Sequence, residues 1–408
     1  MMVASSRWRN LGAAAGAATA ALFAIFDLYQ WALAYAGDRF HNDFTFYFAA
    51  AKIGLTHGWG SIYDLALQQA QLDAMGSRIT IAQLARYISP PPVAWSALPF
   101  TALPYEVAYW VWSALLVAAL AAAWWLVSPA VGHARVIFLA AALGWLPVIY
   151  GLQLGQPGLF VALGVAGSYA LLKANRPLWA GVALGALALK PQLGFLVPLA
   201  LLAAREYRAF LGSVIALGVL GVASVLALGA DGLNSYFDRL SFAAGVPVNR
   251  ELTIAYVAGT GNATRLIQFT LAVWSVGLAA LLRRRGIEWM YACALVGGML
   301  ATPYVHLDDL VMLGLAAWLL LRARPVAWTW VYALAGVLAV EGEPIWGPVP
   351  VIVAELGALV LLSVAALKHD DRDTEEHRAE CEHDARLERD RQHLSTDRQP
   401  EAVDTRQA

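Results

Sequence analysis

Apolar runs long enough, or nearly long enough, to cross a bilayer recur along almost the whole of this chain, and no other feature restricts its fold so tightly. They fall at residues 11–36, 107–127, 136–150, 159–172, 178–189, 191–204, 210–228, 266–282, 289–301, 310–321, 326–340 and 349–367. A perpendicular helical span needs about 20 apolar residues, and a backbone in hydrocarbon must satisfy its own hydrogen bonds. Several runs are shorter than this, which is tolerated where a segment lines a protein cavity instead of facing lipid. The expectation is an all-α polytopic membrane protein, a bundle of about 12 transmembrane helices. Composition agrees: 60% of the 408 residues are hydrophobic and only 14% are charged, against about 25% charged in an average soluble domain. Sixteen tryptophans and fifteen tyrosines suit aromatic belts at two membrane interfaces. The net charge of -1 points away from a nucleic-acid partner.

Charge asymmetry sets the expected orientation. Arg7 and Arg9 precede the first run, which is longer than the roughly 7–15 apolar residues of a cleaved signal, so it is expected to stay as a signal anchor. Basic clusters then return at His133 and Arg135, Lys173 and Arg176, Arg205 and Arg208, Arg283 to Arg285, Arg322 and Arg324, and Lys368. In a chain of this span number these fall on one side, which the positive-inside rule makes cytoplasmic, together with both termini. The expected organisation is a cytoplasmic N-terminus at 1–10, a transmembrane domain at 11–367, and a charged, disordered cytoplasmic tail at 368–408. The long outer connections are 38–106 and 229–265, facing the periplasm or exterior of an inner or plasma membrane. Within the first, 62–88 mixes Leu, Ile and Met with Gln, Asp and Arg at loosely helical spacing, which predicts one or two interfacial helices before the stiff turn Ser89-Pro90-Pro91-Pro92.

Four places on the outer side carry candidate chemistry. Asp43 lies among Phe44, Phe46, Tyr47 and Phe48, an aromatic setting able to desolvate a carboxylate and raise its basicity. Tyr47 follows at helical spacing on the same face, while Asp38 and His41 are near enough to help or compete. Lys190 ends an apolar run before Pro191, so it either snorkels or meets an anion such as a phosphate. The segment 151–158 offers Gln153 and Gln156 as partners for hydroxyls between turn-forming glycines. Thr302 to Asp309 gathers His306, Asp308 and Asp309, of which at least one acid suits a helix N-terminus. Neither these residues nor Cys293 and Cys381 have metal-ligand spacing, and no HExxH occurs, so no metal or cofactor is expected.

Taken in order, Asp43 with Tyr47, Ala49 and Ala50, then Gly58 with Ile62-Tyr63-Asp64, Tyr87 with Pro90 to Pro92, Leu98-Pro99 and Leu103-Pro104, Gly155-Gln156, Ala180-Gly181 through Gly185 to Lys190-Pro191, and Pro303 with His306, the chain resembles glycosyltransferase family 87. It departs from that pattern in having Ser89-Pro90-Pro91 where the family commonly shows Tyr-Pro-Pro. The resemblance implies a GT-C fold, a polyprenyl-phosphate-sugar donor, mannose as the sugar, and a glycolipid or glycan acceptor at the outer face. It further implies Asp43 as the catalytic carboxylate, with His306, a second catalytic candidate, matching a histidine near the end of a late span and Lys190 matching the family's lysine after the small-residue span. Chemistry supports one base: a polyprenyl phosphate leaves without protonation, so the attacking hydroxyl needs deprotonating and the phosphate needs a cation, for which Lys190, Arg250 and Arg265 are candidates. The alternatives are a transporter or flippase, for which no inverted repeat is evident, and a related arabinosyltransferase, glucosyltransferase or ligase.

Overall fold

The computed structural model describes residues 2–81, 86–323 and 327–367, and among these there are only helices and turns. The chain divides into two compact units, Met1–Leu359 and Val360–Ala408, and the account below concerns the first. The charged tail at 368–408, with Lys368, and Arg324 of the basic clusters lie outside the described residues.

The helices run α1 Met2–Gly37, α2 Phe44–His57, α3 Leu65–Ala74, α4 Pro91–Ala97, α5 Tyr105–Val127, α6 His133–Leu143, α7 Leu146–Leu154, α8 Gly158–Lys173 and α9 Pro177–Ala183. They continue as α10 Leu196–Ala203, α11 Tyr207–Gly245, α12 Ile254–Ala258, α13 Asn262–Leu282, α14 Ile287–Ala301, α15 Val311–Ala323, α16 Ala327–Glu341, α17 Glu343–Trp346 and α18 Val349–Leu367. By length and apolar composition five described helices suffice to cross a membrane, in α1, α5, α11, α13 and α18, or six if the bent pair α6 and α7 is one span. The chain is thus a multi-pass helical membrane protein. The count of about 12 came from treating each apolar run as a span. Several of those runs form shorter helices: α8, the 177–188 stretch, α14 and part of α16 are apolar but run for 10 to 17 residues.

Breaks in the helices follow local chemistry. The run at 136–150 bends by 60° between α6 and α7, where Pro147 in the first turn removes a backbone donor. The amide of Leu146, freed by the bend, donates to the Glu341 carboxylate on α16 at 2.8 Å. The runs at 178–189 and 191–204 break around Lys190, whose extended backbone (φ -145°, ψ 82°) is what a following proline imposes. Upstream of that break, α9 is locked against α11 by glycines. A Cβ on Gly181 would stand 1.9 Å from the Ala209 carbonyl oxygen, and one on Gly212 would stand 2.2 Å from that of Leu178, so the two backbones touch as only small residues permit.

The two long connections expected on the outer side are largely helical. In 38–106, α2 is almost wholly buried and packs Phe44 on Trp112 of α5 (ring centroids 5.2 Å apart) and Phe48 on Tyr105 (5.6 Å), pairs worth about 0.5–1.5 kcal/mol each beyond burial. Of the one or two helices expected over 62–88, α3 is present, while 82–85 lies outside the described residues. Gln68, buried on α3, donates to the Ile62 carbonyl and accepts from the Tyr87 amide, and so anchors both ends of this stretch. The connection at 229–265 begins as a continuation of α11 past a kink at Gly229 (φ 63°), a left-handed conformation that suits glycine.

Candidate active site

The site is assembled where the start of α2, the end of α7, the break at Lys190 and the segment before α15 converge. At the start of α2, Asn42 does the capping: its Oδ1 accepts from the Thr45 amide at 3.0 Å, and its Nδ2 donates to the Arg39 carbonyl and the Tyr105 hydroxyl. Asp43 occupies the N-cap position itself, where an Asp side chain ordinarily contributes about 0.5–2 kcal/mol by capping, yet its carboxylate makes no capping bond. It accepts instead a short hydrogen bond at Oδ2 from Gln156 Nε2. Tyr47, one turn on, donates from its hydroxyl to Gln156 Oε1 at 3.1 Å. One amide thus holds both residues that helical spacing placed on a common face.

Gln156 is aimed by the end of α7. Its amide donates to the Gly151 carbonyl at 2.8 Å and that of Gly155 to Leu152 at 3.1 Å, the two bonds of a Schellman stop, with Gly155 left-handed at φ 69°. A Cβ on Gly155 would also lie 2.8 Å from Cβ of Phe44, so glycine there lets α7 end against α2. The Asp43 amide closes the joint by donating to the Leu154 carbonyl at 2.9 Å. Gln153, the other glutamine of this segment, is not among the residues that line the cavity; its backbone carbonyl accepts from the Tyr109 hydroxyl at 2.9 Å.

Lys190 is buried, and its ammonium donates to Asp308 Oδ2 at 2.7 Å and Asp309 Oδ1 at 2.6 Å. It therefore does not snorkel, and the anions it meets are two carboxylates of the chain. Asp309 also caps, its Oδ2 accepting from the His306 amide at 3.0 Å. Asp308 is equally buried, and its Oδ1 has no hydrogen-bond partner. His306 stacks on Tyr304 (4.8 Å) and meets Asn249 Oδ1 at Nε2, 2.7 Å away. Because Asn249 Nδ2 is committed to the Ala243 carbonyl at 2.7 Å, the amide oxygen must face the ring; Nε2 then carries the proton and Nδ1 is left for other partners. Sequence reasoning missed Asn249, an ordinary loop asparagine without a motif around it.

These groups line a cavity of about 860 Å³ that contains Asp43, Tyr47, Gln156, Lys190 and His306, with Arg250 and Arg265 on its walls. Burial pushes the Asp43 carboxyl up to about 6, with the Asp308 charge acting in the same sense and Lys190, His306 and the Gln156 hydrogen bond opposing. Asp38, its neighbour, is exposed and closes a turn on the Phe40 amide at 3.0 Å. Among the described residues no three His, Cys, Asp or Glu side chains gather as a metal-binding set. The arrangement can take a proton from a hydroxyl that reaches Asp43.

Fold and site together define a class: a multi-pass helical membrane protein whose helix ends enclose a cavity with a basic, half-buried carboxylate. The chain belongs to glycosyltransferase family 87, whose family model matches residues 87–339. It is a membrane glycosyltransferase, with a sugar donor and an acceptor as substrates. No curated protein and no solved structure matches the chain. The matched segment holds Gln156, Lys190, Arg250, Arg265 and His306, whereas Asp43 and Tyr47 precede it and join it through Gln156.

Proposed function

We propose that the protein transfers a hexose, mannose by family resemblance, from a polyprenyl-phosphate-linked donor to a lipid-linked or cell-envelope glycan on the outer face of the membrane. Asp43 acts as general base. The acceptor hydroxyl gives its proton to the Asp43 carboxylate as its oxygen bonds to the anomeric carbon, and the bond from that carbon to phosphate breaks with its electron pair leaving on the phosphate. The configuration inverts. One observation carries this reading: Asp43 forgoes its capping bond and turns into the cavity, held by Gln156 and shifted to about 6 by burial, as a base working at neutral pH requires.

Tyr47 supports the reading by fixing the Gln156 amide, and His306, with Nδ1 free, is placed to contact a sugar hydroxyl or the phosphate. Lys190 serves as the counter-charge of Asp308 and Asp309, which leaves the leaving phosphate to the arginines of the cavity wall. Incubating membranes that contain the protein with labelled polyprenyl-phosphate sugars tests the proposal. A labelled glycolipid formed by the wild type and absent with Asp43→Asn is the expected result, and normal transfer by a folded Asp43→Asn variant refutes the role of the base.

A further inference from the structure

The cavity lining carries charges of both signs. It holds Asp43 and Lys190, whose ammonium is paired with Asp308 and Asp309. The lining also carries half-buried Arg86 and Arg250 and exposed Arg265, of which Arg250 and Arg265 form no ion pair among the described residues. A fourth cation stands beside Arg86. The Arg86 guanidinium lies 4.1 Å over the Phe242 ring of α11, and Arg239, one turn earlier on the same face of that helix, acts on it as a like charge. Burial and the Arg239 charge both push the Arg86 pKa down. Arg239 Nε is buried without a hydrogen-bond partner, and Arg239 likewise forms no ion pair among the described residues. The nearest acids in sequence, Asp238 and Asp231, are exposed.

Two adjacent guanidinium groups, one with a buried unmet donor, form an arrangement that an anion completes. Beyond the Gly229 kink, the part of α11 that carries Arg239 exposes Phe237, 55% accessible, on one side of the arginine, while Leu240 on the other lines the cavity. An anion bound here would have apolar side chains next to it, Leu240 in the cavity and Phe237 outside it. We propose that Arg86 and Arg239 form a phosphoryl-binding site at the mouth of the cavity, where the phosphate head of a long-chain lipid is held while its chain lies along α11. This rests on the transferase reading in taking that lipid to be the donor, and it assigns the phosphate to a pair of residues outside the Asp43 cluster.

The test is binding to the purified full-length protein in nanodiscs, followed by intrinsic tryptophan fluorescence, with polyprenyl phosphate and uncharged polyprenol as probes. The wild type is expected to bind polyprenyl phosphate in a salt-dependent manner. Arg239→Gln and Arg86→Gln are expected to weaken it about tenfold or more and flatten the salt response, with polyprenol binding unchanged and Arg239→Lys restoring part of the loss. Thermal unfolding of each variant verifies that it is folded. Competition by inorganic phosphate and by phosphatidylglycerol vesicles separates the sources: displacement by polyprenyl phosphate far below the concentrations of either supports a lipid-phosphate site, and equal competition by phosphatidylglycerol overturns it. Wild-type affinity and salt response in both folded glutamine variants overturn the site. Binding as expected with no turnover of any sugar donor would sink the transferase reading and keep the site. Turnover with an unchanged donor KM in both variants would do the reverse.

Discussion

Lowering the pH from 7 to 5 is expected to cost the enzyme about tenfold in kcat/KM through Asp43 alone. The base must be ionised to accept a proton, so activity falls as pH drops through its pKa of about 6. At that pKa about 90% of the carboxyls are ionised at pH 7 and about 10% at pH 5, whereas an ordinary aspartate would still be more than about 90% ionised at pH 5. Stability changes in the other direction. A carboxyl whose folded pKa lies above its unfolded value binds its proton more tightly in the folded state, so its titration stabilises the fold as pH falls from above about 6 towards 3.8. Loss of activity with retained folding therefore separates titration of the base from acid denaturation. The structure also fixes which way two substitutions move the acid limb. Asp308→Asn removes a charge that raises the Asp43 pKa and shifts the limb to lower pH, while Gln156→Leu removes a hydrogen bond that lowers it and shifts the limb upward. Initial rates from pH 4.5 to 8, with near-UV circular dichroism at each pH, provide the assay. A rate flat to pH 4.5, or both variants moving the limb the same way, refutes the reasoning.

Asp43→Asn is expected to lower transfer by about 10²–10⁴-fold with the melting temperature nearly unchanged, measured by glycolipid formation and thermal unfolding. Lys190→Met leaves Asp308 and Asp309 buried without their counter-charge and should destabilise the fold by about 3–5 kcal/mol; the variant that also carries Asp308→Asn and Asp309→Asn should recover much of this in the same unfolding assay. Gly155→Ala places a Cβ at left-handed φ and 2.8 Å from Phe44, for a loss of about 1–3 kcal/mol and a fall in kcat as Gln156 is displaced. A cysteine at exposed Thr56 should react with a membrane-impermeant reagent added from outside, and cytoplasmic labelling would reverse the orientation drawn from the basic clusters.

The helical, multi-pass character of the chain was legible because apolar content and run length report directly on lipid as solvent. Span number was less so. Run length cannot distinguish a helix that crosses lipid from one such as α14, all of whose residues are buried in protein, nor a continuous helix from the bent pair α6 and α7. In the site, the spacing of Asp43 and Tyr47 was visible because four residues on a helix fix a shared face. That Gln156 and not Gln153 would meet them was not, since the choice depends on the left-handed stop at Gly155. The Lys190 pairing was hidden for another reason: its partners are 118 and 119 residues away, and Asp308 and Asp309 look in sequence like helix caps, a role that Asp309 also fills. Arg239 was masked because it lies beyond the kink at Gly229, in a stretch read from sequence as a loop.

The charges of the cavity lining also bear on stereochemistry. In a single displacement the entering hydroxyl and the departing phosphate occupy opposite faces of the anomeric carbon. A base and a phosphate-binding group that serve such a step must therefore stand on opposite sides of the sugar. Lys190, whose charge acts on Asp43, is held by two acids, so a phosphate placed beside it would meet three carboxylates. The remaining cations of the lining are Arg86, Arg250 and Arg265 among the described residues. A donor oriented by these charges would turn its free face to Asp43, as the proposed single displacement requires; a two-step retaining route would use Asp43 as the nucleophile on that face and would need a second acid or base beside the phosphate. The expected product carries the anomer opposite to that of the donor, as one-bond carbon–proton coupling of the new linkage would report. A retained configuration would show that Asp43 attacks the sugar instead of deprotonating the acceptor.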